Sequence, residues 1–289
     1  HDARPIYEEV KAGRGSKHGG AYLNIATQRS AEDIKKKLPS MYHQFKVLAE
    51  LDITKEPMEV GPTCHYFMGG IRVDADTTMS TVPGLFACGE CAAGMHGANR
   101  LGGNSLSDLL VFGNLAGKGA AAYSKGLTSN PEVSEEDVNN IIKNATDILN
   151  RESGENPYLL HEDLQANMQV NVSIVRTKED LEKGIDGLEK IKEKYKNIKA
   201  PGASQYNPGW HEALALRNLL VTSEAVARAA LIREESRGAH TRVDFPGERD
   251  EWIKYNIVTK KGADGNMEVS RSEERRVGKE CRSRWSPYH

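Results

Sequence analysis

The sequence predicts an α/β segment followed by a helical one. Residues 83–90 form a short, mostly apolar run, and a glycine-rich loop follows at residues 94–104. Apolar and small residues then recur at helical spacing from Leu106 to Ala120, so a strand, a loop and a helix follow one another. Three further stripes of helical period lie between residues 132 and 237. The fold class is therefore expected to be α/β plus α, the second part a helical bundle.

Composition and charge exclude several classes of protein. A chain of 289 residues can bury a sizeable core, and 38% hydrophobic with 28% charged residues is typical of a globular protein. The net charge of −2 gives no general attraction to nucleic acid, so no nucleic-acid partner is expected. Four cysteines do not make a disulfide framework, and a single CxxC at residues 88–91 is weak evidence for zinc, so no metal site is expected.

Residues 1–61 are predicted to form the first unit. Short helices are expected at residues 33–38 and 41–51, with Pro39 as a helix breaker between them. The chain begins with His1 rather than methionine and shows no signal-peptide pattern, so we expect the natural start to lie upstream.

Residues 130–237 are predicted to form a helical domain. Ser134 and Thr177 each precede an aspartate by three residues, which is the spacing of a capping box at a helix start. Apolar residues at helical spacing follow each of them, and a third such stretch covers residues 211–235. Stripes of this kind indicate a bundle core rather than a cofactor site.

The glycine-rich loop at residues 94–104 indicates a binding function. Ser105 with Asp108 has the spacing of another capping box, so a helix is predicted to begin directly after the loop. The free N–H groups and positive dipole of a helix start would stabilise an anion or the electron-rich edge of a flavin, and glycines would let a planar ligand approach. An ordinary turn before a surface helix is the alternative. The loop lacks the GxGxxG and P-loop patterns, so no pyrophosphate site is indicated.

Three motifs resemble those of the flavoprotein subunits of succinate dehydrogenase and fumarate reductase. They are PTCHYFMGG at residues 62–70, HGANRLGGNSL at residues 96–106, and RGAHTR at residues 237–242 with Asp244 and Pro246 after it. The resemblance covers His1 to about Ser270. L-aspartate oxidases share this plan but typically have Ala-Ser where this chain has Gly102-Gly103 and glutamate where it has Asp108, which favours the dicarboxylate dehydrogenases.

The resemblance implies a domain plan. Residues 1–61 would be the end of a capping domain, 62–125 the C-terminal part of an FAD-binding domain, 130–237 the helical domain and 238–270 a small C-terminal domain. The family's N-terminal dinucleotide fold is not represented in this sequence. We therefore expect the chain by itself to be inactive and not to hold FAD tightly.

The resemblance also implies how the substrate is bound. His65 and Arg100 would grip the two carboxylates of succinate or fumarate, since histidine offers a directed donor and arginine a bidentate fork. Arg4 matches the family's proton-transfer arginine, with Arg14 as the nearest competitor. A guanidinium is normally a poor base, so residue chemistry alone would not select Arg4.

The cofactor that the resemblance implies is FAD. Glu90 would bind the ribose of the flavin nucleotide, and backbone groups of Ser105 and Leu106 would meet the isoalloxazine. Without the resemblance, Glu90 would be an unremarkable carboxylate at the end of a strand.

As a member of this family, the chain would belong to an enzyme that interconverts succinate and fumarate. The resemblance implies an iron–sulfur subunit and membrane-anchor subunits as partners, which would place the enzyme in the cytoplasm on the inner face of the cell membrane. If the natural acceptor is a quinone, electrons must leave the reduced flavin one at a time, and the sequence has no cysteine cluster for an iron–sulfur centre of its own. The alternatives are a flavin oxidase similar to L-aspartate oxidase and a non-catalytic helical interaction module.

Residues 271–289 are predicted to be a non-native tail. They show no apolar periodicity, and they resemble the frame translation of a common sequencing adapter. A natural basic tail that binds a partner is the alternative. We expect this segment to pack against no other part of the chain.

Overall fold

The computed structural model describes residues 4–273. The chain divides into two compact units, residues 1–65 and residues 66–289. Within the described range the strands form three separate two-stranded sheets, and most of the regular structure is helical. No helix in this range is long and apolar enough to cross a membrane. The predicted mixture of helix and strand is confirmed, with sheets that are short.

The described part of the first unit contains three helices and one strand pair. In chain order these are α1 (Arg4–Lys11), β1 (Ala21–Leu23), α2 (Ala31–Lys37), α3 (Pro39–Leu48) and β2 (Met58–Val60). Strand β1 pairs with β2 in antiparallel fashion. The core of this unit is built around the buried side chains of Ile34, Ile53 and Met58.

Pro39 has a different place from the one predicted. It is the first residue of α3, and only Leu38 lies between α2 and α3. Proline is tolerated there because the first N–H groups of a helix have no acceptor within the helix. The two predicted short helices are present, and the proline starts the second of them instead of lying between them.

The second unit begins with irregular chain and then a long helix. Isolated bridges join Val73 to Ser80 and Met79 to Phe86, and a 3₁₀ turn covers Gly89–Cys91. Helix α4 follows at Asn104–Gly126.

The prediction of a buried strand at residues 83–90 is wrong. Within this run, all of which the structure describes, Phe86 is the one residue that makes a β-bridge. Gly84 and Gly89 have φ angles of +83° and +70°, and such left-handed residues at both ends of a segment are incompatible with a continuous strand.

Four helices pack around one core in the region predicted to be a helical domain. They are α5 (Glu135–Asn150), α6 (Pro157–Asn171), α7 (Lys178–Tyr195) and α8 (Pro208–Ile232). The capping predictions are confirmed, because the side chain of Ser134 accepts a hydrogen bond from the backbone of Asp137, and Thr177 from Asp180. Buried side chains from all four helices form the core, among them Ile148, Leu160, Leu164, Leu181, Leu188, Leu216 and Leu220.

Helix α6 is not predicted by the apolar stripes or the capping boxes. Its start is nevertheless marked, because the Asn156 side chain accepts hydrogen bonds from the two backbone N–H groups after Pro157, which is the first helical residue. Leu160 and Leu164, one helical turn apart, are buried in the shared core. An asparagine followed by proline is the signal that would have found this helix.

Four short strands complete the described part of the second unit, and β5 and β6 contact α8. Strand β3 (Val175–Arg176) pairs in parallel with β4 (Thr241–Arg242), and β5 (Tyr255–Lys261) pairs in antiparallel fashion with β6 (Met267–Glu273).

The start of the predicted tail belongs to the last hairpin. Arg271 lies in β6 opposite Ile257, and its guanidinium carbon lies 4.1 Å from the ring centroid of Trp252. The expectation that the tail packs against nothing is therefore wrong for residues 271–273. Backbone pairing with β5 explains this, since it requires no particular side chains. Residues 274–289 lie outside the described residues.

Candidate functional site

The glycine-rich loop leads into α4 without a side-chain cap. Gly103, with φ of +85°, is the N-cap residue, and no side chain of the described residues caps this end of the helix. The predicted capping box of Ser105 with Asp108 is therefore wrong. Because a glycine in the left-handed conformation makes the turn, helix formation begins at Asn104, earlier than that box requires. The Asp108 carboxylate is free to point inward.

The start of α4 presents an exposed apolar surface beside this uncapped helix end. Leu106, Leu109 and Leu110 are 67%, 54% and 77% exposed. A side chain at Gly102 or Gly103 would meet no atom within 4 Å, so space is open above the loop. Exposed leucines next to free space are typical of a surface that a ligand or another part of a protein covers.

A buried polar cluster lies beneath the loop. The Tyr66 hydroxyl donates a hydrogen bond to Asp108 Oδ2 (3.3 Å) and lies 3.1 Å from His96 Nε2. His96 Nε2 is in turn 3.2 Å from the same Asp108 oxygen, so the three polar atoms form a triangle. The side chains of His96 and Asp108 are 10% and 2% exposed. Burial, together with the Asp108 charge, raises the pKa of Tyr66 above its ordinary value.

Arg100 rests on this cluster. Its guanidinium carbon lies 4.6 Å from the centroid of the Tyr66 ring, in cation–π geometry. Its Nη1 donates a long hydrogen bond of 3.3 Å to the carbonyl oxygen of Leu101. Its Nε is buried and has no hydrogen-bond partner among the described residues. A buried donor without an acceptor is costly, so this edge of the guanidinium suits an anionic ligand.

Glu90 lies in the 3₁₀ turn before the loop. Its carboxylate is exposed, and Oε1 accepts a hydrogen bond of 2.9 Å from the backbone N–H of Phe67. The end of the PTCHYFMGG motif also packs against this turn, because a side chain on Gly70 would lie 2.4 Å from the carbonyl oxygen of Cys91. The first sequence motif therefore contacts the turn that carries Glu90.

The remaining predicted site residues belong to the first unit. Arg4 is the first residue of α1, and His65 is an exposed residue at the end of that unit. Arg14, the competitor of Arg4, is exposed and forms a salt bridge of 2.7 Å with Glu9. The other predicted residues belong to the second unit. Glu90 lies in the 3₁₀ turn, Arg100 in the glycine-rich loop, and Ser105 and Leu106 in the first turn of α4.

The backbone at Ser105 and Leu106 is only partly available to a ligand. The Leu106 N–H donates to the carbonyl oxygen of Gly103 at 3.2 Å, whereas no backbone acceptor among the described residues is found for the N–H of Ser105. A ligand would therefore meet Ser105 more readily than Leu106.

The C-terminal motif contacts the glycine-rich loop through backbone groups. The backbone N–H of Ala239 donates to the carbonyl oxygen of Ala98 at 3.1 Å. Gly238 has φ of +59°, and a side chain there would lie 2.3 Å from that same oxygen. Only glycine permits so close an approach. The third sequence motif thus contacts the second directly.

His240 of this motif is held as a neutral imidazole. Arg176 donates a hydrogen bond of 2.8 Å to Nδ1, so the ring proton must lie on Nε2, which donates to the carbonyl oxygen of Arg233 at 3.1 Å. Burial, followed by the charge of Arg176, lowers the pKa of His240 from 6.5 to about 4.

This depressed pKa predicts a pH dependence of stability. The unfolded chain binds the proton below about pH 6.5 and the folded chain only below about pH 4, so the contribution of His240 is complete above pH 6.5 and is lost as pH falls towards 4. We expect His240→Asn to lose less stability than wild type between pH 6.5 and 4 in urea unfolding followed by circular dichroism. Exposed His43→Asn is the control, and identical pH profiles for His240→Asn and wild type would contradict the assignment.

Comparison with known proteins identifies the family. Residues 3–106 match the FAD binding domain family, and residues 161–282 match the fumarate reductase flavoprotein C-terminal family. An FAD-dependent oxidoreductase of Methanocaldococcus jannaschii is 41% identical over 259 residues, which cover 89% of this chain and 46% of that protein. The CoM/CoB fumarate reductase of Methanothermobacter marburgensis contributes a second relative, 40% identical over 261 residues, which cover 90% of this chain and 46% of that protein.

A solved structure agrees with these relatives. A chain of the Mycobacterium smegmatis Sdh1 complex is 51% identical, with a TM-score of 0.87 over 94% of this chain and 47% of its own length. This chain belongs to the succinate dehydrogenase and fumarate reductase flavoprotein family. It spans about half the length of the curated relatives that it matches. The C-terminal family match reaches residue 282 and so overlaps the predicted tail; for residues 274–289 the non-native origin stays a prediction.

The residues of this flavoprotein fit an FAD site. The uncapped start of α4, the open space above Gly102 and Gly103 and the exposed leucines offer both an electropositive end and an apolar surface to a planar ring. The exposed Glu90 carboxylate can accept hydrogen bonds from ribose hydroxyl groups. The shape and the chemistry of this surface are therefore compatible with the cofactor.

The sequence patterns missed the cluster beneath the loop. They give neither His96 nor Tyr66 a functional role and assign Asp108 to a helix cap. The signal that could have found the cluster is Asp108 itself, because a carboxylate among the leucines of an apolar helix is seldom buried without a partner.

Proposed function

We propose that the complete protein carrying this chain interconverts succinate and fumarate with FAD as its cofactor. The observation that carries this proposal is the guanidinium of Arg100. It stands just before the start of α4 with a buried Nε that lacks a partner among the described residues, and it lies within the segment that matches the FAD binding domain family. A dicarboxylate is the ligand class that would satisfy this donor next to a flavin.

The substrate would be held at its two carboxylates. In this proposal the planar guanidinium group of Arg100 binds one substrate carboxylate with two parallel hydrogen bonds. The exposed His65 donates a ring N–H to the other carboxylate. Arg4 would deliver or remove the proton at the substrate carbon. Its competitor Arg14 is already engaged by Glu9, whose hydrogen bond raises the pKa of Arg14 further and makes it a weaker proton donor.

The bound FAD supplies the hydride acceptor or donor for the reaction. Glu90 would hold its ribose, and the backbone of Ser105 and Leu106 would contact the isoalloxazine. The helix start would stabilise negative charge on the reduced ring. The exposed leucines of α4 would cover an apolar face and exclude water from the reacting carbon.

The proposal extends to partner subunits. An iron–sulfur centre accepts electrons from a reduced flavin one at a time. Among residues 4–273 no group of three or more histidine, cysteine or acidic residues could hold a metal ion, so the described part of the chain offers no such centre. We therefore propose that an iron–sulfur subunit receives the electrons and that membrane-anchor subunits place the complex on the inner face of the cell membrane.

Anaerobic titration of the complete holoprotein tests the proposed function. Succinate should bleach the visible absorbance of the flavin, and fumarate should restore it after chemical reduction. L-aspartate should do neither, because a cationic amino group would stand where the site expects a methylene. Bleaching by L-aspartate would favour an amino-acid oxidase, and no response to either dicarboxylate would overturn the proposal.

A further inference from the structure

We propose that Tyr66, His96 and Asp108 act together as positioning residues that hold Arg100 in its substrate-binding orientation. This inference deepens the function proposed above and rests on it. None of the three needs to touch the substrate, because their effect would be transmitted through the ring of Tyr66.

Arg100 has few contacts of its own that could fix its position. It lies in a loop that contains four glycines between residues 94 and 103, so the backbone on either side is easily deformed. Among the described residues its one hydrogen bond, from Nη1 to the carbonyl oxygen of Leu101, is long at 3.3 Å. The contact of its guanidinium carbon with the Tyr66 ring, at 4.6 Å from the ring centroid, is therefore the main restraint on the orientation of the guanidinium plane.

The orientation of the Tyr66 ring is in turn fixed at its hydroxyl. That hydroxyl lies 3.3 Å from Asp108 Oδ2 and 3.1 Å from His96 Nε2. The His96 ring also meets the Tyr66 ring edge to face, with centroids 5.4 Å apart and an interplanar angle of 76°. A ring held both by a neighbouring ring and at its hydroxyl cannot rotate without breaking these contacts.

The hydrogen positions in the triangle are consistent with this role. Asp108 accepts from the Tyr66 hydroxyl, and the Nε2–H of His96 can point to Asp108 or to the tyrosine oxygen. The raised pKa of Tyr66 keeps its hydroxyl protonated as a donor at neutral pH. Asp108 is the acceptor at the centre of the cluster.

Burial of the cluster argues for a purpose beyond packing. The Asp108 side chain is 2% exposed, and its Oδ1 has no hydrogen-bond partner among the described residues. Burying a partly satisfied carboxylate costs stability, and an apolar residue of similar size would avoid that cost. A network that places the binding arginine gives a reason for keeping a carboxylate at this position.

The test is a double-mutant cycle in the complete holoprotein. Tyr66→Phe removes the anchoring hydroxyl but keeps the ring. Arg100→Lys keeps the positive charge, so that malonate binding stays measurable, but it removes the planar guanidinium group that can stack on the Tyr66 ring. Isothermal titration calorimetry with malonate, a dicarboxylate that is not turned over, gives the Kd of wild type, both single variants and the double variant. Tyr195→Phe, which removes a hydroxyl bonded to the Ala213 carbonyl in the helical domain, is the matched control.

We expect Tyr66→Phe to weaken malonate binding by about three- to tenfold, the range for the net contribution of one intramolecular hydrogen bond, and Tyr195→Phe to leave it unchanged. In the Arg100→Lys background the effect of Tyr66→Phe should shrink to less than about twofold, because the anchored group is gone. If Tyr66→Phe has the same effect in the wild-type and Arg100→Lys backgrounds, the positioning role is overturned, whereas the proposed function is not. A wild-type holoprotein with no affinity for malonate would overturn the proposed function and this inference with it.

Discussion

Replacing Arg100 with alanine should raise the KM for succinate steeply in the complete enzyme. Truncating one partner of a charge-assisted contact costs about 2–5 kcal/mol, or about 30- to 5,000-fold. The proposed contact between the substrate carboxylate and the guanidinium, which lies on the Tyr66 ring and has an Nε without a partner among the described residues, would be lost. Turnover should also fall, because a substrate held at one end is poorly aligned with the flavin. Steady-state kinetics with succinate and an artificial electron acceptor would measure both effects.

Two further variants make this result specific. Arg100→Lys should give an intermediate KM, since it keeps the charge without bidentate geometry. Arg217→Ala, which removes an exposed arginine from α8, should behave as wild type. Near-normal kinetics for Arg100→Ala, with FAD content and circular dichroism unchanged, would remove this residue from the substrate site.

Replacing Arg242 with alanine should strongly destabilise the second unit. Its side chain is 1% exposed, and its Nη1 donates to the carbonyl oxygens of Ala230 and Leu231 at 2.9 and 3.0 Å, near the end of α8. Nε and Nη2 bind the two carboxylate oxygens of Asp244, which lowers the pKa of that carboxyl group. Removing one partner of a buried charge costs about 3–5 kcal/mol. We expect the lower end of that range, because the carbonyl oxygens of Ala230 and Leu231 lose their donor, whereas the Asp244 side chain is 30% exposed and can still be hydrated.

Urea unfolding followed by circular dichroism would measure this loss. The matched control is Arg249→Ala, since the Arg249 side chain is 44% exposed and its ion pair with Glu251 is long at 3.9 Å. An exposed pair of this kind contributes about 0–1 kcal/mol, so the control should unfold close to wild type. Similar midpoints for Arg242→Ala and Arg249→Ala would show that the buried network contributes little.

Local signals in the sequence predicted much of the helical domain. The caps at Ser134 and Thr177 were readable because each depends on a side chain and a backbone N–H three residues apart. The same pattern misled at Ser105, where Gly103 in the left-handed conformation makes the turn and no side chain of the described residues caps the helix. A spacing rule identifies candidate caps, but backbone conformation decides which are used.

The strand predicted at residues 83–90 failed for a related reason. An apolar run is compatible with a strand, a buried turn or irregular chain, and the choice depends on whether a partner strand lies alongside. Here Phe86 has an isolated bridge to Met79 in place of a paired strand, and the glycines at both ends have left-handed backbones. No local pattern contains the information about which segments will pair.

What the sequence determined by itself is the family, through three motifs in order, together with Arg100 as a site candidate. A sequence motif specifies which side chains follow one another, and that order is sufficient to recognise the family. Only the tertiary structure decided that the side chains of Tyr66, His96 and Asp108 lie together under Arg100. These residues come from separate segments of the chain, and burial and hydrogen-bond satisfaction arise only when such segments meet. For that reason the sequence pattern assigned Asp108 to a helix cap, whereas the folded chain pairs it with a tyrosine and a histidine.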